Sequence, residues 1–118
     1  MTQEAIICLN ELARQTHRIQ YDNGWWQSRL ALMKHNSGEE YVKIAVCGLA
    51  MTELAEAIEA VRKNRYGMDK DSFERELAGT LVRVLDIAGA FDIDIGKAFA
   101  LELEACKQRG KMHGGNKA

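Results

Sequence analysis

Proline is absent from all 118 residues. No helix has to kink or end at a pyrrolidine ring, so long uninterrupted helices are open to this chain. Cysteine is scarce. Cys8, Cys47 and Cys106 form an odd count at spacings that match neither a zinc site nor a disulfide framework. Buried or idle thiols in a reducing cytoplasm are the expectation. Neither charge sign dominates: the net charge is −1, with 28% of residues charged. Without a broad basic field, no polymeric nucleic acid is expected as a partner, although a local basic cluster can serve a small anion. Long apolar runs are also missing, and Met1-Thr2-Gln3-Glu4 carries an acid where a basic leader would start. Neither a signal peptide nor a membrane span is expected, which points to a cytoplasmic protein. At this length one domain with a modest core is expected across residues 1–118.

Helical periodicity fills the chain. Ile6, Leu9, Leu12 and Ala13 predict a helix from about Thr2 to Gln20, followed by a turn at Tyr21-Asp22-Asn23-Gly24. Trp25 and Trp26 lead a short helical piece to about His35. Ser37 with Glu40 is a capping-box pattern and predicts a long helix to about Asn64. Its apolar residues, among them Val42, Val46, Leu49, Leu54, Ile58 and Val61, cover more than one stripe, so contact on more than one side is expected. Asp71 with Glu74 predicts the next start, and Phe73, Leu77, Leu81, Leu85 and Ala88 give that helix an apolar face to about Phe91. Asp94 can cap a last helix to about Arg109, and glycines mark a loose tail from about Gly110. The fold class is therefore all-α, a bundle of four or five helices. Its core is expected to be completed by another copy of the chain.

Glu53 and Glu56 lie three residues apart among Leu54, Ala55, Ala57 and Ile58. They project from neighbouring turns of one face, where two like charges repel and are expensive to keep spare. A hard divalent cation answers both problems, since magnesium takes oxygen ligands and needs few carboxylates. The next helix adds Glu76, and Asp86 about 80° further around it. Asp86 can line the same cleft and reach an ion through water. The bland alternative is a solvated acidic face, and Glu59 fits it, with Lys63 four residues on. His17 and His35 receive no role. No Ser-His-Asp or Cys-His spacing and no glycine-rich phosphate loop is present.

These residues in this order resemble the MazG-like, all-α nucleoside triphosphate pyrophosphohydrolases. Glu53-Leu-Ala-Glu56 matches the first half of that superfamily's acid motif, and Glu76-Leu-Ala-Gly79 sits where the second half belongs. Gly24-Trp25-Trp26, the run Leu81 to Gly89, Phe91-Asp-Ile-Asp94, and Arg109 through His113-Gly114-Gly115 extend the likeness over most of the chain. It departs from the pattern where the fourth acid would stand, at Gly79, and where a lysine and an asparagine of the last helix are replaced by Glu102 and Cys106.

The resemblance implies magnesium-dependent hydrolysis of a nucleoside triphosphate to a monophosphate and pyrophosphate, with manganese as an alternative ion. It implies Glu53, Glu56 and Glu76 as metal ligands and catalytic residues, and a homodimer or homotetramer. For substrate binding it points to Arg109 and His113, joined in their cluster by Lys111. Lys97, Arg62 and Lys63 are further cations for phosphate, and Trp25 or Trp26 can stack on a base. The departures raise two alternatives: a nucleotide-binding or regulatory relative with impaired catalysis, and a purely structural helical oligomer.

Overall fold

A computed structural model describes residues 1–110, and among them the chain is all-helical, without a strand. The helices are α1 (Gln3–Asp22), α2 (Gln27–Leu32), α3 (Gly38–Arg62), α4 (Phe73–Ala90) and α5 (Ile95–Arg109). Lys111 and His113, expected to bind substrate, lie outside the described residues, as does the glycine-marked tail beyond Gly110. No helix among the described residues is long and apolar enough to cross a membrane.

Most helix ends follow local chemistry. The Thr2 hydroxyl accepts from the Ala5 amide at 3.1 Å, and Asp94 accepts from the Lys97 amide at 3.0 Å. Tyr21 and Asp22 belong to α1, and the turn comes after them, where Gly24 takes a φ of 89°. Two capping expectations are corrected. Ser37 stands at a φ of 61°, in the left-handed region, and makes no side-chain cap. A hydroxyl cap needs extended backbone there; here Gly38 is pressed against the Leu32 carbonyl, where a Cβ would overlap it. At α4 the cap is Ser72, whose hydroxyl accepts from the Arg75 amide at 3.1 Å, while Asp71 stands just outside the helix. Glu74 turns back to the Gly67 amide at 2.9 Å instead of completing a box.

The helices pack as α3 on α4, α4 on α1, and α1 on α5. Ala13, Leu85 and Ala88 form one small core between α1 and α4. Gly89 permits that close approach, since a Cβ there would overlap the Ala13 carbonyl and the His17 Cβ. Trp26, Val42 and Val46 form the second core, with Ile87 and Phe91 against them.

Helix α3 buries Val42, Val46, Ala57 and Ala60 on its inner side. Its other side is bare: Ile44 is 70% exposed, Met51 72% and Ile58 62%, with Tyr41 and Leu54 beside them. Within the chain, then, one side of this broadly apolar helix is covered. The three cysteines are free and exposed, so of the two expectations, buried or idle, the buried one is corrected.

Candidate metal centre

Helices α3 and α4 bring the three glutamates together. One carboxylate oxygen from each of Glu53, Glu56 and Glu76 lies within 4.8 Å of the others. Helical spacing sets the first two on one face; packing of α4 against α3 supplies the third. Glu76 sits in the first turn of α4 and is buried.

Its environment is unfavourable to charge. The Glu76 carboxyl is pushed from 4.5 up to about 7, first by hydrogen bonding with the Glu56 carboxylate, then by burial, then by the charges of Glu56, Glu53 and Asp71. When Glu76 is ionised, its Oε2 is covered and finds no hydrogen-bond donor among the described residues. A proton shared with Glu56 or a cation can satisfy that oxygen. The donor set, all hard carboxylate oxygen, suits magnesium or manganese. On both counts the residues present fit a divalent ion.

The site has two sides. On one, Arg83 approaches Glu53 at 3.3 Å, with both side chains about one-quarter exposed. Arg83 also lies over the exposed ring of Trp25, 5.8 Å from its centre. Between Glu76 and Arg83 on α4 stands Gly79, where an added Cβ would meet Glu53 Oε2 at 3.0 Å. The missing side chain leaves the space into which the Glu53 carboxylate leans. On the other side is a recess of about 130 Å³, lined by Glu56, Glu59, Ala60, Arg65, Asp71 and Glu76. That is room for an ion and a few waters. Glu59 is paired with Lys63 at 3.6 Å, as its spacing suggested, and with Arg62 at 3.9 Å.

Other expected site residues lie elsewhere. Asp86 is buried under Trp26, whose Nε1 donates to both its oxygens at 3.0 Å, and its Oδ1 is 2.8 Å from His17 Nδ1. That carboxylate is committed to α1 and the Trp26 loop, so it is not a water-linked ligand of the glutamates. Trp26 has no exposed surface and cannot stack on a base. Arg109 is turned onto its own helix, bonded to Glu102 at 3.1 Å and to Cys106 at 3.2 Å. Lys97 shares α5, which packs on α1, and neither cation lines the recess. Arg83 is brought to Glu53, and Arg65 lines the recess. Arg83 had a usable signal: it lies seven residues from Glu76, on the same stripe of α4. His17 had none, because its partner is 69 residues away.

Compared with family models, curated proteins and solved structures, the chain matches none.

Proposed function

We propose that Glu53, Glu56 and Glu76 hold a divalent cation, and that the chain is a MazG-like nucleoside triphosphate pyrophosphohydrolase. Two observations carry the reading together: one oxygen from each of the three carboxylates lies within 4.8 Å of the others, and Glu76 Oε2 is buried with no donor among the described residues. Spare acids on a solvated face do not bury an oxygen without a donor. Magnesium, or manganese in its place, supplies charge neutralisation of the phosphates and activation of the nucleophile when bound. The three glutamates position that charge at the α3–α4 junction. Trp25, half exposed beside Arg83, offers a face for a base to stack on. Arg65, on the rim of the recess, is placed to donate to phosphate oxygens. Chemistry of this kind is positioning and electrostatic stabilisation, which a rigid helix pair provides.

The reading includes a second copy of the chain. Tyr41, Ile44, Gly48, Met51, Ala55 and Ile58 recur at alternating spacings of three and four on the bare side of α3. That is the pattern of a helix seam, and Gly48 has open space where a Cβ would stand, so another helix can approach closely.

Two observations favour a nucleotide-binding protein without turnover: Glu53 is already paired with Arg83, and position 79 brings no fourth acid. Incubating the purified chain with a panel of canonical and modified triphosphates, with and without magnesium, separates the readings by pyrophosphate release. Release that requires magnesium is expected. If no substrate releases pyrophosphate, the hydrolase reading fails. Calorimetric binding of magnesium or nucleotide to that inactive protein then supports the second reading, and absence of both leaves a structural oligomer.

A further inference from the structure

We propose that Asp71, from the connection between α3 and α4, is the fourth carboxylate of the cation site, standing in for an acid at position 79. The inference rests on the reading that Glu53, Glu56 and Glu76 hold a divalent ion. It begins from the covered Glu76 Oε2, which has no donor among the described residues. Glu76 and Asp71 line the same recess, together with Glu56 and Glu59.

The other acids nearby are engaged. Glu59 is paired with Lys63 and Arg62. Glu74 accepts from the Gly67 amide, and Asp86 accepts from Trp26. Glu53 leans towards Arg83, on the side of the site away from the recess. Among the described residues no hydrogen bond or ion pair engages the Asp71 carboxylate, although it is close enough for its charge to oppose ionisation of Glu76.

Asp71 is also held in place. The Ser72 hydroxyl donates to the Gly67 carbonyl at 2.6 Å, Arg75 donates to the Met68 carbonyl at 3.1 Å, and the Phe73 amide donates to the Arg65 carbonyl at 2.8 Å. These bonds stitch the connection to the start of α4. Asp71 stands outside the cluster of three glutamate oxygens, and a magnesium-like ion keeps several waters, so an exposed acid on the rim serves it through one of them.

The test is calorimetric titration of the full chain with Mn²⁺ alone. Wild type is expected to bind, Glu56→Gln to lose binding, and Asp71→Asn to weaken it by at least about tenfold. Asp69→Asn, an exposed acid of the same connection, should bind as wild type does. Asn tolerates the left-handed backbone of residue 71, whose φ is 69°. If circular dichroism shows that variant unfolded, Asp71→Gly makes the same test. Unchanged affinity in the Asp71 variant overturns the inference while the glutamate site stands. Equal weakening in the Asp69 and Asp71 variants also overturns it, because the effect would be general charge. No Mn²⁺ binding by wild type overturns both this inference and the reading beneath it.

Discussion

Replacing Glu76 by Gln should strengthen the cation-free fold at alkaline pH while removing the cation site. The folded chain holds the Glu76 proton up to about pH 7, whereas an ordinary glutamate releases it near 4.5. Between those values the folded state binds the extra proton. Wild-type stability therefore falls as pH rises from about 4.5 through about 7, and the deficit is complete above that. At about 1.4 kcal/mol per pH unit, the displacement from 4.5 to about 7 bounds the deficit at about 3–4 kcal/mol. Only a thin layer of protein covers the carboxyl beside an open recess, so water screens part of it, and about 1–2 kcal/mol is the expected size.

Gln keeps the shape and loses the charge, so the variant should be flat where wild type declines. Urea unfolding followed by fluorescence of the buried Trp26, at about pH 5 and about pH 8.5 with a chelator present, measures the difference. Because the proton is shared, Glu56→Gln should flatten the same profile. Added magnesium should restore wild type at alkaline pH by binding the folded state alone, and should leave Glu76→Gln unchanged. Parallel pH profiles for wild type and Glu76→Gln would refute the reasoning, since Glu76 would then carry no strain.

Two further outcomes test the packing that builds the site. Gly89→Ala should destabilise the chain by about 3 kcal/mol in thermal or urea unfolding, because its Cβ meets α1 backbone that cannot step aside. A near-neutral result would show that α1 and α4 can separate freely. Ile44→Asp combined with Ile58→Asp should convert an associated wild type to monomer in sedimentation velocity while helicity is retained. A wild type that stays monomeric at about 100 μM would rule out the α3 seam as an interface.

Much of the candidate site was legible from spacing. Glu53 and Glu56 share a face because three residues span most of a helical turn, and no tertiary information is needed for that. Glu76 followed from the order of elements and from the resemblance. Gly79 was legible as a gap, but its consequence was not: the space it leaves is filled by Glu53, which belongs to another helix. Asp71 read as a capping residue from its distance to Glu74, while the cap went to Ser72, one residue on, where the backbone is extended. Trp25 and Trp26 are chemically identical neighbours. One is half exposed beside Arg83 and the other has no exposed surface and holds Asp86.

Local chemistry thus decided how many helices form, where most begin, and which side chains share a face, because caps and helical period act within a few residues. Packing decided which face meets which. The rotation of α4 against α3 sets Glu76 beside Glu53 and Glu56, and the approach of α1 over Gly89 takes Asp86 out of the acidic cleft to His17 and Trp26. Those outcomes depend on contacts between residues 20 to 76 positions apart, which a period of 3.6 cannot encode.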